Sequence, residues 1–114
     1  MEHFMKLNPV PFAKIKSGEK QIEYRLNDEK RQQLRIGDII TFSKLPEEDE
    51  TLSVSVTDLK KYRNLLEMYE ASFTQYLYKY YPNPEAVVED TSYYTDAQVK
   101  KDGCLAIHIR KLND

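Results

Sequence analysis

Short strand-like runs with helical stretches between them predict an α+β fold, a small mixed β-barrel of about five strands with inserted short helices. Three observations carry this. Apolar and polar residues alternate over several short runs, helix-capping patterns fill the gaps, and the 114-residue chain opens and closes on strand-like segments. The long regular βα repeats that a parallel α/β sheet needs are absent. A barrel also covers the edges that an open five-stranded sheet would expose. This length suits one hydrophobic core and not two, so a single domain over 1–114 is expected.

Taken in order, residues 4–7 are the first candidate strand, and 11–17 read as a short helix with Pro11 in its first turn and Gly18 as its stop. In 21–26, Ile22, Tyr24 and Leu26 alternate with Gln21, Glu23 and Arg25, a half-buried strand. Asn27 caps a turn or helix reaching Arg35, and Gly37-Asp38 turns the chain into a strand at 39–42. Residues 46–50, one proline and four acids, form a solvated hairpin loop leading to the alternating strand 52–57. Asn64 with Glu67 and Ser72 with Gln75 have the spacing of capping boxes, so two helical pieces are expected between Leu65 and Tyr81, ended by Pro82. Leu66, Tyr69, Phe73, Leu77 and Tyr80 would form their buried stripe, leaving Tyr76 and Tyr78 exposed or facing a partner. Thr95 with Gln98 opens a last helix that Gly103 closes, and 105–110 alternate as the final strand.

Composition narrows the function classes. Hydrophobic residues make up 40% and charged residues 32%, as in an ordinary folded chain. No apolar run approaches the roughly 20 residues that span a bilayer, and residues 1–5 show no secretory pattern, so no membrane partner is expected. One cysteine, Cys104, cannot form an internal disulfide, which suits a reducing cytoplasm. The net charge of −2 argues against an indiscriminate grip on polyanions. Residues 1–35 nevertheless hold eight Lys/Arg against five Asp/Glu, and a short nucleic-acid contact needs only a local basic patch.

The densest polar feature is the run from Ser17 to Arg25. Gly18 permits a turn, Lys20 leaves it, and Glu23 and Arg25, two apart on a strand, project from one face. Arg25 is a forked donor for phosphate or a base edge, Lys20 a point charge for phosphate, and Glu23 an acceptor for an exocyclic amine or a brace for Arg25. The plainer reading is a solvated strand face with an ion pair, since exposed pairs are common and contribute little.

The runs GEKQIEYR, GDIITF and GCLAIHIRKL together resemble the activating signal cointegrator homology (ASCH) family, from about Met5 to about Leu112. The family's GxKxxExR hallmark is matched by Gly18, Lys20, Glu23 and Arg25. The resemblance implies a PUA-like barrel with a cleft lined by that motif, receiving RNA, single-stranded for preference, or a nucleotide or nucleoside. On that reading Lys16, Gly18, Lys20, Glu23, Arg25 and Arg31 line the site, and Tyr93 and Tyr94, ahead of the last helix, cover it. No cofactor is implied.

A bacterial branch of the family, similar in its barrel, hydrolyses acetylcytidine with a motif lysine, a threonine three residues later and a distant glutamate. Lys20 matches the lysine, but Glu23 stands at the threonine position. A carboxylate there would favour the charged ammonium and weaken Lys20 as a base. Glu67 and Glu70 are candidates for the distant glutamate, with neither aligned. An amidohydrolase with Lys20 and Glu23 as its catalytic residues is thus the alternative to RNA recognition. A third class is a protein-interaction module using the acidic loop or the Tyr-rich helix.

Other residues have plainer readings. His3 and His108 lack metal-ligand spacing, and His108 falls on the polar face of its strand. Cys104 reads as a small packed residue. Lys60-Lys61-Tyr62-Arg63 reads as a solvated strand end able to extend a phosphate track.

Overall fold

The computed structural model describes residues 1–91 and 93–112. Its elements are β1 (Glu2–Leu7), α1 (Pro9–Lys16), β2 (Ile22–Leu26), β3 (Ile39–Lys44), β4 (Thr51–Tyr62), α2 (Leu65–Ser72), α3 (Pro84–Asp90), α4 (Asp96–Asp102) and β5 (Cys104–Lys111). Single 3-10 turns lie at Arg31–Gln33, Phe73–Gln75 and Leu77–Lys79. All five expected strands form and join in one mixed sheet of order β1-β3-β4-β5-β2. β1 runs parallel to β3 with Met5 opposite Phe42, and β3 runs antiparallel to β4 with Phe42 opposite Leu52. The fold is α+β and of the small PUA-like class.

Contacts divide the chain into two compact units. The first holds Met1–Glu23, Leu34–Leu59 and Ile107–Asp114, less the two terminal residues that lie outside the described ones. Its core follows the period of two expected of strands: Met5 and Leu7 of β1 are buried while Glu2, Phe4 and Lys6 are exposed. Ile40 and Phe42 of β3 and Leu52, Val54 and Val56 of β4 continue that face. α1 starts two residues before the expected Pro11, because Pro9 fits the first helical position. It buries Phe12 and Ile15, one turn apart. Within this unit Asp38 is buried and accepts from the Met1 amino group at 3.1 Å and the Arg35 amide at 3.0 Å. His3 Nε2 lies 2.8 Å from Oδ2, the oxygen that also accepts from the Arg35 amide, so this histidine is a core partner of a carboxylate. The His3 hydrogen bond is the largest cause that holds the Asp38 carboxyl down at about 2, from an ordinary 3.8.

The second unit holds Tyr24–Gln33 and Lys60–Ala106, and with them all nine tyrosines of the chain. α2 begins as expected, Asn64 Oδ1 accepting from the Glu67 amide at 2.9 Å. The expected second box fails. Ser72 makes no cap, and its hydroxyl hydrogen-bonds Tyr24 Oη at 2.7 Å instead. Without that cap, the chain after α2 makes only two 3-10 turns, and the expected stripe breaks. Tyr76 is buried and Tyr80 is 45% exposed, the reverse of a helical continuation, while Tyr78 is exposed as expected. α3 was not legible: Pro82 reads as a stop, yet Asn83 caps a new helix with Pro84 in its first turn. Of the turn or helix expected from Asn27 to Arg35, one 3-10 turn forms, with Asp28 rather than Asn27 as the side-chain cap, its Oδ1 accepting from the Arg31 amide at 3.0 Å.

α4 is the closest match to its expectation. Thr95 and Gln98 form the full reciprocal capping box, and Gly103 ends the helix at φ 71°, ψ −171°. A Cβ at Gly103 would stand 3.1 Å from the Tyr62 carbonyl oxygen, so both conformation and space call for glycine there. β4 runs past the expected 52–57 to Tyr62, taking in Lys60 and Lys61. Its later residues do not alternate.

Candidate functional site

The motif begins where α1 ends. Gly18 adopts φ 85° with its amide on the Ile15 carbonyl, and the Lys20 amide returns to the Lys14 carbonyl at 3.0 Å. This turn delivers Lys20 to the start of β2. Lys20 Nζ then donates to Glu23 Oε1 at 2.8 Å, with side chains only 13% and 6% exposed. Glu23 was expected on the open polar face of its strand; it is buried, and the lysine three residues back makes that burial tolerable. Arg25, on the same face of β2 by the strand period, is half-buried. The motif therefore pairs a buried carboxylate with an ammonium, and its guanidinium follows two residues along the chain.

The other expected residues occupy different surroundings. Lys16 donates to Glu50 at 2.6 Å, and this contact, with the charges of Lys16 and Lys44, holds the Glu50 carboxyl below its usual range. Arg31 is 15% exposed, its Nη1 on Asp28 Oδ2 at 3.1 Å, and its Nε is buried without a hydrogen-bond partner among the described residues. Tyr93 is 72% exposed and Tyr94 half-buried, their rings edge to face with centroids 4.6 Å apart.

The two acids considered for hydrolysis lie on α2. Glu67 is clasped by the Arg63 guanidinium, which lowers its carboxyl, and Glu70 is exposed. His108 is half-buried rather than fully exposed. Cys104 is fully buried, which raises its thiol to about 11. Among the described residues no group of three His, Cys, Asp or Glu side chains could hold a metal ion. Nor is any helix of them long and apolar enough to cross a membrane.

Sequence reasoning missed two features of the second unit. One is a polar-aromatic chain: Tyr24 meets Tyr69 edge to face at 5.1 Å, and Tyr69 Oη lies 2.9 Å from Thr91 Oγ1, which donates to the Val87 carbonyl at 2.7 Å. Burial drives the Tyr69 hydroxyl's pKa far upward. The other is a groove of about 430 Å³ lined by Leu65, Leu66, Val88 and Val99 with Arg63 and Lys100. The period-3.6 signal of α2 hinted at the first; the second needs α3, which Pro82 concealed.

A search of curated proteins returns no match. The crystal structure of hypothetical protein PH0355 is similar with a TM-score of 0.84 at 33% identity, over 98% of this chain and 100% of that one. The solution NMR structure of protein PF0455 from Pyrococcus furiosus gives 0.77 at 33% identity, over 100% of both chains. The family model for the ASCH domain matches residues 5–112, a span that takes in the whole motif turn and strand, and the chain therefore belongs to the ASCH domain family.

Proposed function

We propose that this chain is an RNA-binding module that meets its ligand through the motif strand. The observation that carries the reading is the Lys20–Glu23 pair, a carboxylate 4% exposed and bonded to an ammonium at 2.8 Å. Removing two charges from water is costly, and a buried pair is weak as a stabilising device, so its presence in the family motif favours a recognition role. ASCH domains usually bind RNA, which supports the same reading. In this proposal Lys20 and Arg25 meet phosphate, and Glu23 accepts from a base amine while holding Lys20 in place. Gly18 shapes the turn, and Lys16 and Arg31 add flanking charge. A cytoplasmic setting fits both the ligand and the lone buried thiol.

The test is a fluorescence-anisotropy titration of short single-stranded RNAs across a range of salt. The wild type should bind with affinity falling as salt rises, and Arg25→Ala should weaken binding about 10-fold or more and flatten the salt slope by about one contact. RNA affinity that is unchanged by both Arg25→Ala and Lys20→Ala would move the site away from the motif.

Hydrolysis of acetylated cytidine nucleosides is the competing reading. It requires Lys20 as base or nucleophile, whereas Lys20 stands as the cationic half of an ion pair with Glu23, the residue at the position where the hydrolytic branch has threonine. Consumption of acetylcytidine by the wild type but not by Lys20→Ala would put this reading first.

A further inference from the structure

The second unit's exposed surface has a chemistry that the motif does not use. Its exposed large hydrophobic residues are Tyr78 (54%), Tyr80 (45%) and Tyr93 (72%), all tyrosines. The first unit's are Met1, Phe4, Val10, Ile36 and Ile39, mostly aliphatic. Flat aromatic faces are what unpaired nucleobases stack on, whatever their sequence.

Two of these rings pack against a neighbouring ring. Tyr94 braces the Tyr93 ring edge-on, and Tyr76 does the same for Tyr80 at 5.4 Å. Tyr81 Oη donates to Asp90 Oδ2 at 2.9 Å, tying the segment after Tyr80 to the end of α3, from which the Tyr93 loop departs. The buried Tyr69–Thr91–Val87 chain ties the end of α3 to α2. A ring already ordered in the free protein loses little freedom on binding. Lys79, exposed between Tyr78 and Tyr80, supplies a cation for a neighbouring phosphate.

We propose that Tyr93, with Tyr78 and Tyr80, is a stacking platform for unpaired nucleobases of a single-stranded RNA. This rests on the RNA-binding reading above and adds to it the part of the RNA that is recognised, the base faces. Tyr24 of β2, which anchors α2 through Ser72 and Tyr69, alternates with Glu23 and Arg25 and so projects from the other face of the strand.

The chain contains no tryptophan, so its intrinsic fluorescence comes from tyrosine and stacking is read as quenching. The experiment titrates wild type, Tyr93→Leu, Tyr93→Phe and the triple Tyr78/Tyr80/Tyr93→Leu variant with oligouridine and with an abasic ribose-phosphate oligomer of equal length. Because Tyr93 is 72% exposed, its replacement leaves the fold intact, checked by an unchanged melting curve. The expected result is quenching by oligouridine, affinity about 5- to 100-fold weaker in Tyr93→Leu, near-normal affinity in Tyr93→Phe, and no change for the abasic probe. Oligouridine bound equally by wild type and the triple variant would overturn the platform while leaving the RNA reading intact. Failure of the wild type to bind any RNA would remove both. A wild type that ignores RNA but self-associates, and ceases to do so in the triple variant, would make this a protein surface and overturn the proposal.

Discussion

At the scale of single residues, Asp38 collects three partners from two parts of the first unit: the Met1 amino group and His3 at one, the Arg35 amide at the other. All three favour its ionised form, so the folded-state value of about 2 lies below the ordinary 3.8. A depressed acid contributes stability that is complete above its unfolded value and is lost as pH falls through its folded value. Urea denaturation of the wild type should therefore show a loss between about pH 4 and about pH 2 that Asp38→Asn, less stable throughout, does not share. Parallel pH profiles for the two proteins would mean that the three partners do not act through the carboxylate charge. Lys20 and Glu23 apply the same physics in a pair. Their types and spacing were readable in sequence, but Glu23's burial was not, because alternation places it with the polar residues of its strand.

Secondary-structure elements show why capping spacing is an incomplete guide. Asn64–Glu67, Ser72–Gln75 and Thr95–Gln98 have the same three-residue spacing, yet only the first and last cap helices. Ser72 is diverted because Tyr24, 48 positions earlier, offers its hydroxyl a partner at 2.7 Å. Such a competitor is invisible to a local pattern. Ser72→Ala and Tyr24→Phe should each destabilise by about 1 kcal/mol, and the double variant by little more than either alone, a coupling of about 0.5–1.5 kcal/mol in a thermal-denaturation cycle. Additive losses would return Ser72 to the role of a cap. β1, β3 and the first half of β4 were legible because their burial has a period of two, whereas β2 and β5 bury neighbouring residues and were legible from their apolar content. The stretch between α2 and α4 was not, since Pro82 stops one segment while Asn83 and Pro84 start the next within two residues.

For the whole molecule, the distribution of side-chain chemistry is more telling than net charge. All nine tyrosines fall in one compact unit, whereas three of the four phenylalanines fall in the other. By residue range β2, β4 and β5 each belong to both units, so the chain passes between them inside strands rather than linkers. Unfolding followed by tyrosine fluorescence, which reports one unit, should accordingly share its midpoint with unfolding followed by far-ultraviolet circular dichroism, which reports both. Separate midpoints would make the units independently stable. The family and the motif positions were legible across nearly the full length. The tyrosine surface was not, because a run such as Tyr76–Tyr81 gives a helical stripe on paper and only the 3-10 turns decide which rings face outward.

The buried thiol of Cys104, raised to about 11, has a practical consequence. Near neutral pH it is almost wholly protonated and sealed from reagents, so the folded chain behaves as if it had no cysteine. A single thiol introduced at an exposed position, Tyr78→Cys for instance, would take a maleimide dye or spin label without the native one being removed. The native thiol would react only when the fold opens, so one chain carries both an addressable surface handle and an internal alarm for its own unfolding.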